Sequence, residues 1–241
     1  PYGCLSTSMK TERKRFMNGK DTGTILNTRL SGCDWDIKID LEEFWVQVKR
    51  LAKDDHTPVL MFCTTKFGYE LIKSNESWFR YDLVWDKGCG INFLMANKMP
   101  MRSHEMIYIF SKNGSYYNRV DISGDFTKWS TKCTIKSNTY GSAGGLGTNE
   151  GKHLIKRDHS GGEGKRCCLS VIQTQKTSGA GKHPTEKPEI LYRWLIERYC
   201  PANGTILDPT AGSFNSIFAA KSLGIRAIGI EKNNDFFNKA I

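Results

Sequence analysis

The residues best suited to chemistry lie near the end of the chain, in Leu207-Asp-Pro-Thr-Ala-Gly-Ser213 and Ala227-Ile-Gly-Ile-Glu231. Both are short apolar runs that end at a carboxylate, and the first continues into a glycine turn. A strand that feeds such a turn and then a helix brings backbone N–H groups close to a ligand. An acid at the tip of the next strand can accept hydrogen bonds from ribose hydroxyls. The 19 residues from Gly212 to Glu231 approach the spacing of about 20 found in nucleoside-binding folds. Gly212 is the only glycine of the turn, so G-x-G-x-x-G is absent and a ligand without phosphates is favoured over a pyrophosphate. The alternative is structural, with Gly212 making a tight turn and Glu231 standing as a surface carboxylate.

These residues require a strand–helix–strand unit to hold them. Pro188 suits a helix start, and Ile190, Leu191, Trp194, Leu195 and Tyr199 make an apolar helical face. Thr205 to Asp208 reads as a strand, Ile217 to Leu223 as a helix closed by Gly224, and Arg226 to Ile230 as a second strand. Connections this short imply a βαβ unit and a parallel sheet. Upstream, Asp40 is a plausible N-cap with Glu43 three residues on, and Leu41, Phe44, Trp45, Val48 and Leu51 recur at helical spacing. Pro58 to Cys63 is a continuous apolar run, as expected of a strand buried on both faces. A helix over Phe67 to Ser74 and strands at Tyr81–Trp85 and Met106–Phe110 follow, with a loop holding Gly88, Gly90 and Asn92 between the two strands. Residues 4–33 read as a long polar loop, and 111–181 as a long irregular stretch of the kind that is usually functional.

A chain of 241 residues suits one α/β domain with an inserted subdomain. No apolar run approaches the length of about 20 residues that spans a membrane. The first residues have neither the basic start nor the apolar stretch of a signal peptide. The eight cysteines are scattered without C-x-x-C, which favours reduced thiols in a cytoplasmic setting. The net charge of +10 is concentrated: Thr127 to Lys182 holds ten basic residues against three acids. A positive segment of this kind suits a polyanion such as nucleic acid, or is simply a lysine-rich solvated surface. A P-loop is excluded, because neither Gly161-Gly-Glu-Gly-Lys165 nor Gly179-Ala-Gly-Lys182 has its spacing. A zinc module would have to draw on Cys133, His153, His159, Cys167 and Cys168, whose spacing fits no standard site, so no metal is expected.

His183-Pro-Thr-Glu-Lys-Pro188, followed by a helix, Asp208-Pro-Thr-Ala-Gly-Ser213 and Ile228-Gly-Ile-Glu231, resembles the amino-methyltransferases of DNA, specifically the permuted beta class. Pro1-Tyr2-Gly3 resembles the tail of that family's D-P-P-Y-G motif. Trp85-Asp86-Lys87 and Arg102-Ser103-His104-Glu105 resemble intermediate elements. The resemblance implies an α/β, Rossmann-like methyltransferase fold, with a mostly parallel sheet, flanking helices and a circularly permuted motif order. It divides the chain into a catalytic half (1–111), a target-recognition region (112–182) and a cofactor-binding half (183–241). Thr210 stands where the family has an aromatic and Phe214 where it has a second glycine. The chain also starts inside the motif, which reads as an N-terminal truncation that lacks the motif's polar residue, its first proline and two strands of the sheet. Poor methyl transfer by the fragment is the expectation.

The resemblance implies S-adenosyl-L-methionine as cofactor and double-stranded DNA as substrate, with transfer to an exocyclic amino group. Such a nitrogen is a weak nucleophile, and the sulfonium methyl is already activated, so the protein mostly orients and stabilises charge. In the family the motif's polar residue and a proline carbonyl accept the amino hydrogens and an aromatic ring stacks on the flipped base; Pro1 and Tyr2 stand at the motif's third and fourth positions as the candidate catalytic residues, with Tyr2 in the stacking role. Lys187 and Thr185 would hold the methionine carboxylate, with His183 on the same side. Asp208, Thr210, Ala211, Gly212 and Ser213 would border the methionine part, and Glu231 would bind the ribose. Arg102, His104 and Glu105 shape a target pocket or form a buried polar network. Adenine N6 is the expected target, with cytosine N4 or a non-catalytic DNA-binding remnant as alternatives. A bacterial or phage modification enzyme with a cognate restriction endonuclease is the implied setting; the sequence sets no oligomeric state.

Overall fold

The computed structural model describes residues 11–17, 20–28, 39–91, 93–123, 165–174 and 185–240. Two compact units make up the chain, one of 1–118 with 170–241 and the other of 119–169.

The larger unit opens with an antiparallel hairpin of β1 (Thr11–Met17) and β2 (Lys20–Thr28), paired from Thr11 against Thr28 to Met17 against Lys20 with a register shift between Lys14 and Phe16. This stretch was expected to be a loop; Asn18-Gly19 between the paired ends is the hairpin signal that the glycine count obscured. Helix α1 (Leu41–Leu51) starts where Asp40 accepts from the N–H groups of Glu42 and Glu43 at 2.9 and 3.1 Å, the cap its sequence implies. Strand β3 (Val59–Cys63) and helix α2 (Thr65–Ser74) follow, the helix capped by Thr64.

Strand β4 (Phe79–Ile91) runs well past Trp85, taking a register shift between Asp86 and Ile91 in which Gly88 adopts a positive φ. Strand β5 (Arg102–Phe110) returns antiparallel to it. The smaller unit contains an antiparallel pair, β6 (Ile122–Ser123) with β7 (Lys165–Arg166). In the larger unit β8 (Val171–Gln173) then pairs parallel with β4. The sheet therefore has the order β3-β5-β4-β8, with β5 antiparallel to both neighbours. The described ladders are thus mixed, because β5 runs against β3, β4 and β8.

Helix α3 (Glu189–Tyr199), β9 (Thr205–Asp208), α4 (Asn215–Ser222), β10 (Arg226–Gly229) and α5 (Asn234–Ala240) complete the chain. Strands β9 and β10 are parallel, residue for residue from Thr205 against Arg226 to Asp208 against Gly229. Gly224, with φ +69, ends α4: its N–H bonds Lys221 O and the next N–H bonds Ala220 O.

Alternation along β5 explains the layers. Tyr108 and Phe110 point to one face, where Trp45 of α1 and Phe67 and Leu71 of α2 pack. Ile107 and Ile109 point to the other, with Leu83, Trp85 and Ile172 beneath Leu191, Leu195 and Tyr199 of α3. Each of these large side chains contributes about 2 kcal/mol on burial. The opposite side of α3 packs through Ile196 on Ala219 and Ala220 of α4, with Ile206 and Ala227 of the β9–β10 pair. Helix α3 thus ties the four-stranded sheet to the βαβ unit.

Candidate functional site

The site is assembled at the carboxyl ends of β3, β4 and β9. In β4, Trp85 and Lys87 share a face, and Trp85 lies opposite Glu105 in β5. In β3, Phe62 lies opposite Ile107. The pleat therefore turns Phe62, Lys87 and Glu105 toward the α3 side, where the segment preceding α3 delivers Lys187. Glu105 Oε1 stands 2.6 Å from Lys87 Nζ and Oε2 stands 3.5 Å from Lys187 Nζ. Lys187 Nζ also lies 4.8 Å from the centroid of the Phe62 ring, and Lys87 Nζ 5.1 Å from that of Trp85. Both lysines are buried, Lys87 5% and Lys187 7% exposed. Burial holds the Lys187 pKa below its ordinary value, against the attraction of Glu105. Tyr192 of α3 is pushed far above the ordinary tyrosine value by burial, then by Asp208, Glu105 and Glu186, so it remains a phenol.

Asn215, the first residue of α4, fastens the 185–187 segment to the glycine turn: its Nδ2 donates to Glu186 Oε1 at 2.9 Å and to Lys187 O at 2.8 Å. The turn is closed by its own acids. Asp208 Oδ1 accepts from Thr210 N–H at 3.0 Å and Oδ2 from the Ser216 hydroxyl at 2.5 Å. Glu231 Oε2 accepts from Gly212 N–H at 2.9 Å and Oε1 from Asn233 N–H at 2.8 Å. Ala211 N–H bonds Ile230 O, and Phe214 N–H bonds Ala211 O.

Four turn amides are therefore directed at protein acceptors, whereas a phosphate cradle leaves its amides for the ligand. What the arrangement offers a ligand is a buried cation, an acid at the tip of β10 with lone pairs to spare, and apolar ring faces. Gly212 has φ +54, and Phe214 has φ +60, a left-handed conformation unusual for an aromatic. Phe214 packs on Phe237 at 5.7 Å between centroids and closes over Gly229, where a Cβ would meet its ring at 2.9 Å and Ile217 at 2.7 Å.

A family profile described as DNA methylase, of the N6 and N4 methyltransferases, matches residues 34–241. The chain belongs to this DNA methylase family. Over 87 residues, 36% of this chain and 32% of the relative, it is 33% identical to the type II methyltransferase M2.LlaDCHI of Lactococcus lactis subsp. cremoris. Over 59 residues, 24% and 20% of the two chains, it is 37% identical to the DNA adenine methyltransferase YhdJ of Escherichia coli K12. The matched stretch thus spans about a third of the length of the first relative and a fifth of the second. Among solved structures, the PvuII DNA methyltransferase, titled cytosine-N4-specific, superposes with a TM-score of 0.56 at 11% identity, covering 83% of this chain and 68% of that one. The M1.HpyAVI–SAM complex gives 0.53 at 17% identity, covering 86% and 84%. These likenesses establish the Rossmann-like methyltransferase fold that the motifs imply.

Of the DNA methylase residues singled out from sequence, Thr185, Lys187, Asp208, Thr210, Ala211, Gly212, Ser213 and Glu231 are described. Hydrogen bonds close Asp208, Thr210, Ala211, Gly212 and Glu231 into one turn, and the Asn215 side chain joins the Thr185–Lys187 segment to it. Thr210 is exposed, and Ala211, Gly212 and Ser213 are buried. Pro1, Tyr2 and His183 lie outside the described residues, as do Cys133, His153 and His159. Lys87, Tyr192, Asn215 and Ser216 went unassigned by sequence. Lys87 belongs to Trp85-Asp86-Lys87, but nothing in the sequence pairs it with Glu105, 18 residues away.

No helix among the described residues is long and apolar enough to cross a membrane.

Proposed function

We propose that this chain belongs to a DNA methyltransferase that moves a methyl group from S-adenosylmethionine to an exocyclic amino group of DNA, with adenine N6 as target. The observation that carries the reading is Lys187, buried beside the Asp208 turn in a chain of the DNA methylase family. The residues fit that cofactor. A buried ammonium suits its carboxylate, the acid at the tip of β10 suits a ribose, and a turn whose amides are already engaged suits a ligand without phosphates.

Bound there, S-adenosylmethionine supplies a methyl group already activated on a sulfonium. Lys187 and Thr185 hold the carboxylate, with His183 on the same side. Asp208 and the Thr210–Ser213 turn border the methionine chain, and Glu231 accepts from the ribose hydroxyls. Pro1 belongs to the motif that accepts the hydrogens of the target amine and aims its lone pair, while Tyr2 stacks on the flipped base. The basic region 112–182, which separates the catalytic half (1–111) from the cofactor half (183–241) in sequence, reads the duplex. The protein acts where bacterial or phage DNA lies, in the cytoplasm, alongside a cognate restriction endonuclease.

The name of YhdJ supports adenine. Cytosine N4 is the second reading, favoured by the PvuII likeness. The test is expression of the complete reading frame that encodes this chain, in a host without amino-methylation of its DNA, followed by mass spectrometry of the DNA nucleosides. N6-methyladenine is the expected product. N4-methylcytosine instead would transfer the reading to cytosine, and neither product would contradict both.

A further inference from the structure

Beyond Lys87, at the carboxyl end of β4, the chain leaves the sheet at Ile91 and re-enters it at Arg102, which pairs with Ile91. The turn between them is held by its own backbone. Ala96 N–H bonds Phe93 O at 3.0 Å, and the N–H groups of Lys98 and Met99 bond Met95 O at 2.8 and 3.0 Å. Its root is tight, because a Cβ on Gly90 would meet the Met101 side chain at 2.8 Å. On this base the turn presents apolar side chains to solvent. Phe93 is 78% exposed, Met99 51% and Met101 46%, and Lys98 between them is exposed as well. Three large apolar side chains this close in sequence exceed the scattered exposure of an ordinary surface.

The charge around them is of one sign. From Lys87 to His104 the sequence holds Lys87, Lys98 and Arg102 and no acid. A second copy of the chain seated here by two-fold symmetry would set cations against cations. A polyanion is the complementary partner, and one with apolar faces to enter is a nucleic acid. The turn also rises from the strand ends that carry the site: Ile91 follows Lys87 by four residues, and Arg102 precedes Glu105 by three. We propose that it is a wedge. Phe93 enters the base stack of duplex DNA beside the target nucleotide and fills the space that nucleotide vacates, while Lys98 holds a neighbouring phosphate. This rests on the DNA methyltransferase reading above and adds residues outside the Pro1-Tyr2 motif and the cofactor turn. Taking a base out of the stack costs free energy, and an aromatic ring that restores the lost stacking offsets part of it.

The experiment uses the complete protein whose reading frame encodes this chain, with a short duplex carrying the sequence that it modifies in host DNA. Phe93→Ala lowers the methylation rate on the fully paired duplex by about tenfold or more. Its affinity for S-adenosylhomocysteine, the demethylated cofactor, stays within about twofold of the unsubstituted protein. A second duplex places the target base in a mismatch, where it leaves the stack at little cost. There the variant recovers to within about threefold of the unsubstituted protein. Phe93→Trp keeps an aromatic face and holds the rate on the paired duplex within about threefold. Lys98→Ala lowers the slope of log affinity for the duplex against log salt concentration by about one.

An unchanged rate for Phe93→Ala on the paired duplex overturns the proposal. So does an equal loss on the paired and mismatched duplexes, which marks the ring as structural. If Phe93→Ala leaves that rate unchanged and instead turns a dimer into a monomer in sedimentation, the patch is a protein contact and the wedge is refuted. An unsubstituted protein that methylates no DNA contradicts the function reading itself, and the wedge falls with it.

Discussion

At the scale of single residues, Lys187 sets stability against binding. Its folded pKa lies below the unfolded 10.5, so the folded state binds fewer protons than the unfolded one between the two values. The stabilising contribution is therefore present above 10.5 and lost as pH falls through the folded pKa, below which the buried charge costs stability. Lys187→Met leaves Glu105 with its closer partner Lys87. We expect the variant to be as stable as the parent or more stable by about 1 kcal/mol in urea unfolding at pH 7. Affinity for S-adenosylhomocysteine should nevertheless fall at least about tenfold. In the unsubstituted protein that affinity should decline as pH rises through the lowered pKa, before the ordinary lysine range. Phe214 gives a second residue-level test. A left-handed backbone costs a non-glycine residue about 1–2 kcal/mol, and the ring on Phe237 and Gly229 offsets it here. Phe214→Leu retains the strain and loses the ring, so it should destabilise more than Phe214→Gly by about 1 kcal/mol, although leucine is the more apolar replacement.

At the scale of elements, α4 lies so close to β10 that Gly229 admits no side chain. A Cβ there meets Ile217 and Phe214 at contacts below 3.0 Å. Gly229→Ala should push the start of α4 off the strand, costing about 1–3 kcal/mol, seen as a lower Tm. Asp40→Ala should cost about 1 kcal/mol through the N–H groups of Glu42 and Glu43 and leave ligand binding unchanged. Much of this level was legible from sequence. The βαβ unit declared itself through two apolar runs ending in acids, and β3 through an apolar run too short for a helix. The hairpin β1–β2 was hidden because its residues are polar and Gly23 sits within a strand. The far half of β4 was hidden because Gly88 reads as a breaker, while the fold uses its positive φ to carry a bulge. The bonds from Asn215 to Glu186 and Lys187, and the pair Lys87–Glu105, left no local trace. Their partners meet only through helix packing and antiparallel register.

At the scale of the whole molecule, residues from distant parts of the sequence converge on one site of the larger unit. Lys87 and Glu105 come from the four-stranded sheet, and Lys187 and the Asp208 turn from the segment around α3, with the Leu191, Leu195 and Tyr199 face joining them. Leu195→Ala should cost about 2–5 kcal/mol and lower ligand affinity as well, since it loosens the helix that follows Lys187. A net charge of +10 predicts that binding to duplex DNA weakens steeply with salt, linearly in a plot of log affinity against log salt concentration. On the proposed cofactor reading, Lys187 and Glu231 frame the site of S-adenosylmethionine. The most direct test is calorimetric titration of the chain with S-adenosylhomocysteine, alongside Lys187→Met and Glu231→Ala. One saturable site, weakened at least about tenfold by each substitution, is the predicted result. No saturable binding, or binding that both substitutions leave unchanged, would contradict it.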